Sequence, residues 1–136
     1  MKIIESGAGG NMKRNWDIIR DMLTQLEEFK NEEGCLNLLS FPQDKHAEIS
    51  YHMELLMEAG LINGQMLEEF GPEPQNFFAN RLTWQGHEFL DAIRSDPVWQ
   101  KTKKSFLSQG ISMTFDLVKS VASDVAASYL KSTIGG

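Results

Sequence analysis

The chain has 136 residues, enough to bury one hydrophobic core without the help of disulfides or metals. Its single cysteine, Cys35, excludes an internal disulfide and with it a secreted disulfide scaffold. No apolar run approaches the ~20 residues that a membrane-spanning helix needs, and the opening MKIIESGAGGN has too short an apolar stretch for a secretory signal. A soluble cytoplasmic protein is therefore expected. The net charge of −6 is unevenly spread: residues 1–98 hold 8 Lys/Arg against 17 Asp/Glu, whereas residues 99–136 hold 5 Lys against 2 Asp. An acidic body with a mildly basic tail is not the footprint of a strong, non-specific DNA binder, which turns cations toward phosphates.

Residues 1–11 read as a flexible leader, with Met12 as an alternative start. Its glycines do not form a phosphate loop, because no strand precedes them and no Gly-Lys-Ser/Thr follows. A first helix is expected from Asn15 to Lys30. Asn15 caps it, Trp16, Ile19, Met22, Leu23, Leu26 and Phe29 form its apolar stripe, and Asn31-Glu32-Glu33-Gly34 stops it. The short apolar stretch Cys35–Leu39, bounded by Gly34 and Phe41-Pro42, predicts a brief strand with Cys35 as an inert core residue.

The next helix spans Asp44 to Ala59, with Ile49, His52, Met53, Leu56 and Ala59 on one side, and Gly60 supplies the left-handed residue that ends it. Leu61 to Leu82 predicts a β-hairpin whose tip holds Gly71-Pro72-Glu73-Pro74. Simple alternation in its return arm puts Phe78 and Leu82 on one face and Phe77, Ala79 and Arg81 on the other. Thr83 caps a third helix reaching Arg94, with Phe89, Leu90 and Ile93 inward. Asp96 as N-cap and Pro97 at the first helical position start a fourth. The last helix, Ser112 to Lys131, carries Phe115, Val118, Ala122, Val125 and Tyr129 at helical spacing. Those residues pack either on their own domain or against a second copy as a homodimer seam.

Helix, strand, helix, hairpin, helix is the order of a winged helix. AEISYHMELLMEAGLI (Ala47–Ile62) resembles the recognition helix and turn of the arsenic-repressor-like regulators, Ser50, His52, Leu55, Leu56, Glu58, Ala59, Gly60, Leu61 and Ile62 fitting that register. RLTWQGHEFLDAIR (Arg81–Arg94) resembles their Leu-Thr-x-x-Gly segment, where the wing enters the following helix. The match extends further to the domain of unknown function 2513 family, through MKRNWDIIRDMLTQLEE, YHMELLMEAGLI, RLTWQGHEFLDAIRSDPVW and FDLVKSVA in that order. The resemblance implies an α+β, mainly helical fold: a winged helix-turn-helix-like domain over 12–96 with a β-hairpin wing, then a C-terminal helical extension over 97–136. It also implies a bacterial, phage or prophage setting.

The family resemblance carries no function with it; the winged-helix segments and the charge pattern lead to two expectations. One is a nucleic-acid-binding regulator, with Ser50 and Tyr51 reading bases while Lys13, Arg14, Arg81, Lys101, Lys103 and Lys104 neutralise phosphates. The other is a protein-interaction module, such as a phage inhibitor of a host or defence protein, binding through Tyr51, Glu54 and Glu58. The presumed recognition helix carries Lys45 against Asp44, Glu48, Glu54 and Glu58. The hairpin tip carries Glu68, Glu69 and Glu73 without a cation, so the usual base-reading arginine is missing. No nucleophile stands with a base and an orienting acid at informative spacing, so no catalytic residues are expected. Neither a metal nor a cofactor is expected, since His46 and His52, six apart, point to different sides of a helix. His52 is expected to pack or cap, and Glu48, four residues earlier, to meet it through a hydrogen bond or weak charge pair. No membrane partner is expected.

Overall fold

The computed structural model describes residues 13–30 and 34–134; the expected leader and most of the first helix's stop signal lie outside these. The described residues form an α+β fold of five α-helices and one antiparallel hairpin: α1 (Trp16–Glu28), α2 (His46–Glu58), β1 (Ile62–Met66), β2 (Phe77–Leu82), α3 (Trp84–Ile93), α4 (Asp96–Gln109) and α5 (Phe115–Ile134). The chain divides into two compact units between His87 and Glu88, inside α3.

In the first unit α1 packs on α2 and β2, and α2 packs on β1. Asn15 caps α1 as expected, its Oδ1 accepting from the backbone N–H of Asp17 (2.9 Å) and Ile18 (3.1 Å). The stripe of α1 buries Ile19, Met22, Leu23 and Leu26. Trp16 is only half-buried, with the Arg14 guanidinium over its ring at 4.7 Å. On α2 the buried residues are Ile49, Ser50, His52, Met53 and Leu56. Ala59, expected inward, is exposed beyond the end of the helix.

The strand expected over Cys35–Leu39 contracts to one antiparallel bridge, Leu36 to Ala79, bonded in both directions at 3.1 and 2.9 Å. Asn37 then caps a 3-10 turn at Leu38–Ser40, which ends the extended run. A second such turn at Gln43–Lys45 leads into α2. Cys35 is half-buried, not in the core, and its thiol donates to Asn80 Oδ1 at 3.1 Å.

The hairpin corrects the expected strand faces. Asn63 pairs with Arg81 and Gly64 with Ala79, which leaves Asn80 as an extra residue on β2. This β-bulge resets the alternation. Phe77, Ala79 and Leu82 are all buried, whereas Phe78, Asn80 and Arg81 face outward. The bulged Asn80 is held by its own amide, which donates to Asn63 Oδ1 at 3.4 Å.

The ends of α2, β1, β2 and α3 meet in one junction. Gly60 adopts φ +76°, and the N–H of Leu61 returns to the Leu56 carbonyl at 2.9 Å. Thr83 donates its hydroxyl to the Gly60 carbonyl (2.5 Å) and its N–H to the Leu61 carbonyl (3.0 Å), while its Oγ1 accepts the N–H of Gly86 at 3.0 Å to cap α3. Gly86 lies so close that a Cβ there would fall on the Leu61 carbonyl.

In the second unit α4 packs on α5. The cap of α4 is Ser95, one residue before the expected Asp96, and its hydroxyl accepts the N–H of Val98 at 3.4 Å. Val98, Trp99, Thr102 and Phe106 are buried on α4, and Val118 and Ala122 on α5. Phe115 stacks on Phe89, ring centroids 4.7 Å apart. Burial fades along α5: Val125 is half-buried and Tyr129 is 44% exposed, so within one copy the packed stripe ends before Tyr129.

Two stability measurements follow. Leu56, 2% exposed, truncated to alanine should lower the free energy of unfolding by about 2–5 kcal/mol in a denaturant titration. Gly86→Ala gains about 1 kcal/mol of helix propensity. The collision with the Leu61 carbonyl should reverse that sign and leave a net loss of about 1–3 kcal/mol.

Candidate functional site

The polar side chains of α2 divide between two jobs. Ser50, expected among the base-reading residues, is 7% exposed, and its hydroxyl donates to the Gln75 carbonyl at 2.8 Å. That bond ties α2 to the returning side of the hairpin loop. The loop is closed by Leu67 N–H to the Asn76 carbonyl (2.9 Å) and by Asn76 Oδ1, which accepts from Leu38 N–H (3.0 Å) and Phe77 N–H (2.8 Å).

His52 is also turned inward. Its Nε2 lies 2.8 Å from the backbone nitrogen of Asn15, and its Nδ1 lies 2.8 Å from the Glu48 carbonyl oxygen. Because the Asn15 N–H can only donate and the Glu48 carbonyl can only accept, the ring is neutral, with its proton on Nδ1. It joins the start of α1 to the middle of α2. The Glu48 contact expected from the i, i+4 spacing is made by the backbone; the Glu48 carboxylate reaches Lys45 at 3.9 Å, an exposed pair worth little. His46 is likewise engaged, with Nε2 3.0 Å from the Phe41 carbonyl. Among the described residues no three His, Cys, Asp or Glu side chains gather as metal ligands.

With Ser50 and His52 inward, Tyr51, Glu54, Leu55 and Glu58 form the outward stripe of α2 at spacings of 3 and 4. Glu54 and Glu58 are exposed, and Tyr51 is half-buried, edge-on to His52 with centroids 5.6 Å apart. The hairpin loop adds exposed Glu68, Glu69 and Glu73. At its tip stands Phe70, fully exposed at 106%. Sequence periodicity overlooks Phe70 because it belongs to no strand or helix. The available signal is a lone aromatic inside a Glu-, Gly- and Pro-rich turn.

Of the expected cations, Arg81 is exposed on β2, its guanidinium donating to the Leu82 carbonyl at 3.1 Å. Lys101, Lys103 and Lys104 all lie on α4, in the other unit. Lys101 and Lys104 share an exposed strip with Pro97, Gln100, Ser105 and Ser108, and no carboxylate lines it. Lys103 lies on the neighbouring flank, its ammonium 5.5 Å from the Trp99 ring centroid.

The His52 arrangement has a pH signature. Burial lowers its pKa from the ordinary histidine value, against the smaller opposing effects of the Glu48 carbonyl and carboxylate. The unfolded chain therefore takes up the proton first, so this group's contribution is complete above pH ~6.5 and declines as pH falls below it. Stability should drop by at most about 1.4 kcal/mol per pH unit in that window. His52→Gln, compared by thermal denaturation from pH 7.5 to 5, should flatten that part of the dependence.

No solved structure matches the chain. A Haemophilus influenzae protein described as "Uncharacterized protein" is 38% identical over 119 residues, an alignment covering 88% of this chain and 99% of the relative. The family model described as "Hypothetical protein (DUF2513)" matches residues 13–112. The chain thus belongs to the domain of unknown function 2513 family, as the Asn-Trp, Glu-Ala-Gly-Leu and Leu-Thr-x-x-Gly segments suggest.

Proposed function

We propose that this chain is a non-enzymatic, winged-helix-type binding module that recognises a basic protein surface through the outward face of α2. The observation that carries this reading is the composition of that face: Tyr51, Glu54, Leu55 and Glu58 point out, while Ser50 is turned in. A helix laid into a DNA groove with that face would bring two carboxylates against phosphates and offer no arginine to a base edge. The acidic hairpin loop, in the place of a wing, adds to the repulsion. Against a protein the same stripe offers an aromatic ring flanked by carboxylates, a composition suited to a partner rich in Lys or Arg. The winged-helix reading is supported by the element order and by the bridge from Leu36 to the second hairpin strand.

A nucleic-acid-binding regulator is the second reading, favoured by one observation: the carboxylate-free strip on α4 bearing Lys101 and Lys104. Here the phosphates would meet α4 and not α2.

Substitutions on α2 and on α4 separate the two. Glu54→Lys with Glu58→Lys should abolish capture of a basic partner from lysate of the source cell, with photo-crosslinks from a probe at position 51 mapping to that partner. Duplex DNA binding by the unaltered chain that Tyr51→Ala abolishes, measured by fluorescence anisotropy, would overturn the protein reading. If α4 binds nucleic acid, Lys101→Ala with Lys104→Ala should weaken binding equally for all sequences and reduce the salt slope by roughly 2.

A further inference from the structure

We infer that the tip of the hairpin loop is a plug for a groove on α4 and the α4–α5 connection of a second copy of this chain. This goes beyond the role of the α2 face and uses none of its residues. The plug is Phe70 with Glu68, Glu69 and Glu73 around it. Its base is held by the Ser50–Gln75 and Leu67–Asn76 bonds, and Pro72 and Pro74 stiffen it. An aromatic ring fully in water on a stiffened turn loses little conformational freedom on docking, which makes it an efficient anchor.

The receiving groove is lined by Lys103, Lys104, Phe106, Leu107, Ile111 and Met113. Leu107 is 84% exposed and Ile111 53%, so its apolar wall is open to solvent. Two ammonium-bearing side chains stand at its edge, and no carboxylate lines it. The two surfaces are complementary in both respects that matter: an aromatic ring fits an apolar floor, and three carboxylates meet two lysines. Each chain carries one plug, in the first unit, and one groove, in the second, so each contact joins unlike surfaces of two copies.

The test is sedimentation velocity of the full chain over rising concentration at low and high salt. Wild type should associate at low salt, and added salt should reverse this. Glu69→Gln with Phe70→Ser removes the plug, and Lys104→Gln with Leu107→Ser removes the groove. All four side chains are largely solvent-exposed, so both variants should keep the wild-type circular dichroism spectrum. Each variant alone should associate at least about tenfold more weakly. Their equimolar mixture retains one intact plug and one intact groove, and should form a heterodimer that grows no further. A wild-type chain that stays monomeric at low salt overturns the inference, as does a mixture that does not pair. Association that survives in both single variants, as a seam along α5 would give, overturns it too. None of these outcomes bears on the α2 face, which is tested separately by Glu54 and Glu58.

Discussion

The first unit depends on how closely α3 can approach the end of α2. Gly86 sits where any side chain would run into the Leu61 carbonyl, and that carbonyl already accepts the N–H of Thr83. Thr83 closes the arrangement by bonding Gly60 with its hydroxyl and capping α3 with the same oxygen. Two segments far apart in sequence, Glu-Ala-Gly-Leu at 58–61 and Leu-Thr-x-x-Gly at 82–86, are therefore two halves of one joint. Both hairpin strands begin or end there, so the joint sets the direction in which the hairpin leaves α2. A fold made mainly of short elements needs such a joint, because a lone two-stranded hairpin is marginal in water.

The polar residues of α2 serve the fold before they serve any partner. Ser50 anchors the hairpin loop and His52 anchors the start of α1, each satisfying a backbone group that would otherwise lose its bond to water. This inward use has a functional consequence. It removes Ser50 and His52 from the exposed face and leaves Tyr51 with Glu54 and Glu58. The acidic character of that face is thus partly a product of how the core is tied together. On α4, Lys101 and Lys104 share an exposed strip that no carboxylate lines, while Val98, Trp99, Thr102 and Phe106 are buried.

Helix positions were legible from the residues because their determinants are local. The 3/4 spacing of Ile19, Met22, Leu23 and Leu26, the Asn15 cap, the Gly60 terminator and the Thr83 cap all act within a turn or two. The same holds for membership of the family, whose model matches one continuous stretch, residues 13–112. Composition likewise disclosed the uneven charge and the missing arginine on α2.

What lies beyond the local chain was decided by tertiary structure. The bulge at Asn80 reverses the alternation of β2 and turns Leu82 inward with Phe77 and Ala79, and only the partner strand determines where that extra residue goes. The stretch at Cys35–Leu39 has strand-like residues, but it finds a partner at Leu36 alone and coils into a 3-10 turn. Ser50 has the polarity and helical position of a contact residue, but its acceptor, the Gln75 carbonyl, lies 25 residues away. Tyr129 keeps the spacing of the buried stripe on α5 yet extends past the surface that covers Val118 and Ala122. The sequence by itself therefore determined which segments are helical, what charge they carry and, at Asn15, Gly60 and Thr83, how they are capped. Which face each side chain turns to was left to tertiary structure, because burial depends on long-range partners and local periodicity does not specify them.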